Sequence, residues 1–162
     1  MANYLTKEKI AGLEARDSGG HFMVQEKDRR SYKSYVHDHM TSNDLNTKDK
    51  AFLLRESSMT LVEEIFENPD VHQALNQARP IIQDFVGFMQ SEPEAMQHLI
   101  SLSGHDFYTY NHSLDVSIYS LGLGEALGYS KKELEELGIA SIFHDIGKRN
   151  VSLDILCKKG PL

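Results

Sequence analysis

The sequence predicts a mainly α-helical protein, and three observations carry that prediction. Apolar residues recur at steps of three and four over most of the 162 residues. The segments between those runs are built from helix-capping residues rather than from hairpin turns. Strand-like composition is confined to a single short stretch near the start, His21-Phe22-Met23-Val24-Gln25, which follows the turn cluster Asp17-Ser18-Gly19-Gly20.

Taken in order, residues 1–43 read as an N-terminal accessory element, a short strand followed by an amphipathic helix over Lys27 to Met40 with Tyr32, Tyr35 or Val36, and His39 on one side. The polar run 41–46 is a boundary. Residues 44–104 read as a helical accessory or linker region. Thr47 is the expected cap of a helix through Phe52, Leu53, Met59, Leu61, Val62 and Phe66, and Asn68-Pro69 the expected start of the next. Pro80 falls inside that second run, where its ring should kink or split the helix. Ser91-Glu92-Pro93-Glu94 has the pattern of a capping box opening a helix that Gly104 ends, and Ser130-Lys131-Lys132-Glu133 has the same pattern. Residues 105–162 form the third segment.

Composition narrows the function. Lys and Arg number 17 against 24 Asp and Glu, a net charge of −7, so a surface built to grip a nucleic-acid polymer is not expected. No stretch reaches the roughly 20 consecutive apolar residues that span a bilayer, and no signal-peptide core is present, so a cytoplasmic protein without a membrane partner is expected. The single cysteine, Cys157, forms no internal disulfide, in keeping with a reducing compartment.

The chemistry concentrates in residues 105–162. His112 lies 16 residues before Gly128 and His144 lies 16 after it. If Leu123 to Ser130 form the bend of a helical hairpin, two antiparallel arms rising about 1.5 Å per residue return both imidazoles to the same level. His144 follows Leu134, Leu137 and Ala140 or Ser141 at helical steps, and His112 shares a face with Tyr108, Val116 and Tyr119, so both rings are expected to point inward. Asp145 follows His144 directly, near the end of that helix, where a carboxylate can bridge two cations while each imidazole ligates one. Gly147 is expected to release the chain from the helix. Lys148, Arg149, Lys158 and Lys159 then make this end locally basic against Asp154 alone. Asp106 reads as a cap for the following helix, with a supporting contact to His112 as the sharper alternative. His37 and His39 diverge on a helix and read as surface residues, and His21, His72, His98 and His105 have no partner at ligand spacing.

These residues carry a resemblance. HDIGK at 144–148, preceded by YTYNHSLDV and followed by NVSLDILCKKGPL, resembles the first half of an HD-GYP domain, a branch of the HD metal-dependent phosphohydrolase superfamily. The resemblance covers residues 105–162 and implies a helical HD-type fold. It implies that His112, His144 and Asp145 are metal ligands, with Asp145 bridging and also catalytic, and that Lys148 is a catalytic residue that approaches the substrate phosphate. It implies hydrolysis of cyclic di-GMP by a metal-activated water at a centre of iron or manganese, which is sensible because two nearby cations lower the pKa of water and stabilise charge on phosphoryl oxygens.

The sequence departs from that pattern in two ways. Tyr108 stands four residues before His112 where trinuclear members carry a carboxylate, so a binuclear centre is expected for the complete domain. The family's later ligands and Gly-Tyr-Pro region have no counterpart, so an incomplete domain, inactive alone, is expected. The alternatives are a non-catalytic helical regulatory module derived from an HD domain, and another HD nucleotide phosphohydrolase. An incomplete hairpin is expected to leave the face around Leu114, Ile118, Leu134 and Leu137 open, as a surface for self-association or for docking another protein.

Overall fold

Side-chain caps set most helix boundaries in this chain. The computed structural model describes residues 26–42, 44–103, 109–156, 158 and 160. A 3-10 turn at Glu26–Asp28 precedes helix α1, Arg29–Thr41. Then come α2 (Thr47–Glu67), α3 (Val71–Ser91), α4 (Ala95–Leu102), α5 (Thr109–Ala126) and α6 (Lys131–Phe143), followed by a 3-10 segment, Ile146–Asn150, and a last turn, α7 (Leu153–Leu156). The described residues contain no strand, and the fold is the helical one expected. The strand expected at His21 to Gln25 lies outside the described residues.

The chain divides between Tyr35 and Val36 into two compact units, and α2 to α7 all belong to the second. In the first, the rings of Tyr32 and Tyr35 stack with centroids 6.4 Å apart, one helical turn along α1.

Several caps differ from expectation by a residue or two. Asn46, not Thr47, caps α2 by accepting from the Asp49 backbone N–H, which leaves the Thr47 hydroxyl to donate to Glu92 at 3.1 Å. Asp70, not Asn68, caps α3, because its carboxylate takes the N–H groups of both His72 and Gln73. Ser91-Glu92-Pro93-Glu94 forms no capping box. Ser91 still belongs to α3, Glu92 closes it, and Glu94 precedes α4 with no side-chain cap bond. The capping box at Ser130 and Glu133 forms as expected.

Helix α3 runs unbroken through Pro80. Pro80 itself is exposed, while Ala78, Ile81, Ile82, Phe85 and Val86 around it are buried. Each fully buried Ile, Val or Phe contributes roughly 1.5–3 kcal/mol, enough together to offset the about 3 kcal/mol that an interior proline costs.

One core joins α2 to α6, with Leu54, Val62 and Ile65 of α2 meeting Ile82, Phe85 and Val86 of α3, Leu99 of α4, Leu114, Ile118 and Leu121 of α5, and Leu134 and Ile142 of α6. Helix α3 lies against α6 at Gly138, where an added Cβ would stand 2.7 Å from Ile82 Cγ2. That packing corrects the open face expected on the hairpin. Leu114, Ile118 and Leu134 are buried and Leu137 is half-buried, because the upstream helices cover them.

The hairpin bend is built from backbone bonds. Gly128, at φ +80°, donates to the Glu125 carbonyl at 2.9 Å, and Tyr129 donates to Gly124 at 3.0 Å. That pair of bonds is the Schellman ending, which needs the left-handed region and so favours glycine.

Candidate metal centre

The hairpin does bring the two imidazoles together. His112 sits in the first turn of α5 and His144 follows the last residue of α6. Their ring centroids lie 5.3 Å apart at an interplanar angle of 64°, edge to face. They meet at the rim of the fold rather than inside it, with the His112 side chain 51% exposed and that of His144 35%. The expected inward orientation is corrected for a physical reason. The core closes over α5 at Leu114 and Ile118 and over α6 at Ile142, so the positions at the hairpin's open end lie beyond it.

Asp145 is the point on which the others converge. His112 Nε2 is 3.7 Å and His144 Nε2 3.3 Å from its Oδ2, and the ammonium of Lys148 bonds the same oxygen. The Lys148 hydrogen bond, with help from the charges of His144 and His112, holds the Asp145 carboxyl below its ordinary range. It is therefore ionised across the whole neutral range. The chain leaves α6 through the 3-10 segment, and Gly147 does not adopt a positive φ, so its conformational freedom is not what makes the turn.

The donor set suits a divalent cation. The His144 Nδ1–H donates to the Ser141 carbonyl at 2.6 Å, since a carbonyl only accepts, and this leaves Nε2, the nitrogen nearest Asp145, as the one that can ligate. His112, His144 and Asp145 each offer an atom within 4.8 Å of the others. Two atoms bound to one ion at about 2.1 Å each lie roughly 3–4 Å apart, the spacing found between each imidazole and the carboxylate. Among the described residues this is the one group of His, Cys, Asp and Glu with such convergence.

Asp106, His105, His21 and Cys157 lie outside the described residues. His37 and His39 belong to the helical α1, where two residues apart place them on different sides. His72 is exposed, and His98 faces Glu94, the residue just ahead of its helix, at 3.6 Å. Arg149 turns away from Asp145 and donates to the Asn68 carbonyl at 2.7 Å, tying the 3-10 segment to the link between α2 and α3.

A buried ion pair beside the site escaped the sequence reading. Arg55 Nη2 donates to Asp115 Oδ1 at 2.7 Å, joining α2 to α5 one turn beyond His112, with about a tenth of either side chain exposed. The signal was present. Arg55 stands in the stripe Ala51, Arg55, Ser58, Val62, where every other member faces the core.

Comparison with known proteins places this geometry. Residues 109–159 match the HD domain family, a span that contains His112, His144, Asp145 and Lys148. Residues 109–159 are an HD domain. Its chain is 31% identical over 114 residues to the cyclic di-GMP phosphodiesterase PA4108 of Pseudomonas aeruginosa, an alignment covering 69% of this chain and 28% of that protein. In structure it is similar to Bd1817, an HDG"Y"P protein from Bdellovibrio bacteriovorus, with a TM-score of 0.67, 22% identity, and coverage of 85% of this chain and 48% of that one. The resemblance to HD-GYP proteins holds on these findings. The chain with its HD domain thus spans under a third of the curated relative's length and about half of the structural one's. No described helix is long and apolar enough to cross a membrane.

Proposed function

We propose that this HD domain contributes part of a divalent-metal centre that hydrolyses a phosphodiester, with cyclic di-GMP as substrate. The observation that carries the reading is the convergence of both imidazoles on Asp145, with the Nε2 atom of His144 made available by the bond of its Nδ1–H to Ser141. The name of the Pseudomonas relative supports the choice of substrate.

Bound divalent ions would supply an activated water and stabilise charge on the phosphoryl oxygens. The protein's own part is positional. His144 and His112 would each offer a nitrogen from opposite arms of the hairpin, and the ionised Asp145, with both imidazoles beside it, would serve as the bridging ligand. Lys148 neutralises Asp145 in the resting site and carries its charge to a phosphate oxygen when substrate arrives, adding a positive charge where negative charge develops. Two ions take more donors than three side chains give, so further ligands complete the centre.

The test is metal content per purified chain by elemental analysis, beside a His144→Ala/Asp145→Ala variant, followed by hydrolysis of cyclic di-GMP by the loaded protein. About two iron or manganese ions per chain, lost in the variant, with turnover to a linear product, is the expected result. Substoichiometric metal that is indifferent to the variant would overturn the reading in favour of a non-catalytic module. Faster turnover of nucleoside triphosphates than of cyclic di-GMP would keep the metal centre and change the substrate.

A further inference from the structure

We propose that the buried Arg55–Asp115 pair is a positioning device for the metal centre, setting the rotation and height of α5 so that His112 faces His144 and Asp145. The inference rests on the reading of His112 as a ligand.

The pair adds a charged, directional contact between α5 and α2 to the apolar packing of α5 and to the bond of the Ser117 hydroxyl to the Gly138 carbonyl of α6 at 3.2 Å. His112 lies in the first turn of α5, half-exposed and 3.7 Å from Asp145. Among the described residues the His112 ring has no backbone hydrogen bond like the one from His144 to Ser141, and its neighbours there are Asp145 and the His144 ring. Asp115 is on the same helix one turn further on, and its bond to Arg55 is the charged contact between α5 and α2. The hydrophobic neighbours Leu114 and Ile118 hold α5 against the core but permit small rotations and slides, because apolar contact is non-directional. A planar guanidinium bonded to a carboxylate at 2.7 Å does not.

Energetics point the same way. A buried ion pair is a weak source of stability, since desolvation of both groups offsets their attraction, and apolar residues of similar volume often serve stability as well or better. The Nε of Arg55 is moreover buried with no hydrogen-bond partner, a further cost. A stripe position occupied at that cost by arginine, among alanine, serine and valine, is explained by geometry fixed rather than by energy gained.

The experiment compares the wild-type chain with Arg55→Met/Asp115→Leu, which removes the pair without leaving a lone buried charge. Two quantities are read: the NOE between the His112 and His144 rings in metal-free protein, and the affinity for Zn2+, a diamagnetic probe of His and carboxylate ligands. The expected result is a folded double variant, with a thermal midpoint at or above that of wild type, that loses the NOE and binds Zn2+ about 10- to 100-fold more weakly, the range for groups that orient metal ligands. A folded double variant with the NOE and the affinity unchanged overturns the proposal. Should the double variant not fold, linkage supplies a second arm on the wild type alone, because a pair that favours metal binding must itself be favoured by metal. Slower exchange of the Arg55 guanidinium protons on Zn2+ saturation supports the proposal, and unchanged exchange overturns it. If wild type binds Zn2+ no more tightly than His112→Ala/His144→Ala, the metal reading fails by itself, and the metal-free NOE still decides whether the pair positions His112.

Discussion

His112 and His144 belong to opposite arms of one helical hairpin, and their rings meet edge to face at 5.3 Å across the open end. Their partner Asp145 is bonded by Lys148, so one carboxylate oxygen has a cation and two imidazole nitrogens around it.

Replacing Lys148 by methionine takes away the largest influence that depresses the Asp145 carboxyl. The carboxyl is then expected to titrate at higher pH than in wild type, as read from its carbonyl 13C shift. A proton competes with a cation for the same oxygen, so the acid-side loss of bound metal should also move to higher pH. An Asp145 titration that does not move in Lys148→Met would show that the lysine bond does not govern this carboxylate.

Glu92 offers a pH test of fold stability. It joins the end of α3 to the start of α2 by accepting from Lys50 at 2.8 Å and from Thr47 at 3.1 Å, and the Lys50 bond foremost holds its pKa below the usual 4.5. A depressed carboxyl stabilises the native state above the unfolded pKa and loses that contribution as pH falls through the folded one. Glu92→Gln should therefore lower the thermal midpoint at pH 7, and the gap from wild type should close as the solution is acidified below pH 4.5. A gap of constant size from neutral to acid pH would assign it to packing instead.

Two glycines on packed helices should respond with opposite sign to alanine. At Gly138 a Cβ meets Ile82 Cγ2 at 2.7 Å and Leu121 Cδ2 at 3.2 Å, both from the core, so Gly138→Ala is expected to destabilise by about 1–3 kcal/mol. At Gly87, within α3, a Cβ meets nothing within 4 Å, and Gly87→Ala should stabilise by about 0.5–1 kcal/mol through the lower entropy of the unfolded chain. Urea unfolding of the two variants side by side checks both, and equal shifts would contradict the close approach of α3 to α6.

The cap on α3 is testable as well. Asp70→Ala deprives the His72 and Gln73 N–H groups of their acceptor and should cost about 1 kcal/mol. Asn68→Ala should cost less, although Asn68 was the expected cap, because its side chain accepts only from Asp70 N–H ahead of the helix. Thermal denaturation ranks the two, and the reverse order would restore Asn68 as the cap.

Much of this architecture was legible in one dimension. Helix type followed from apolar spacing, the capping box at Ser130 from its own four residues, and the meeting of His112 with His144 from equal distances either side of Gly128. All three depend on short-range geometry, where rise per residue and bonding between neighbours leave few choices. The missed caps fail for a related reason. Asn46 and Thr47, or Asn68 and Asp70, can all accept from the N–H groups of a helix start, and the choice between them is made by where the other side chain is needed.

What the sequence by itself determined, then, was a helical chain with a His, His-Asp and Lys constellation at one end of a hairpin. Only the tertiary structure decided how that constellation is oriented and supported. The imidazoles stand at the rim because the core closes two residues short of them, at Leu114 and Ile142. The hairpin's apolar face is covered because α3 can approach α6 at Gly138, and a buried arginine 60 residues upstream pairs with Asp115 on the helix that bears His112. Contacts between residues far apart in the chain carry no local spacing rule. They follow from which faces pack together, and that is settled only when all the helices bury their surfaces at once.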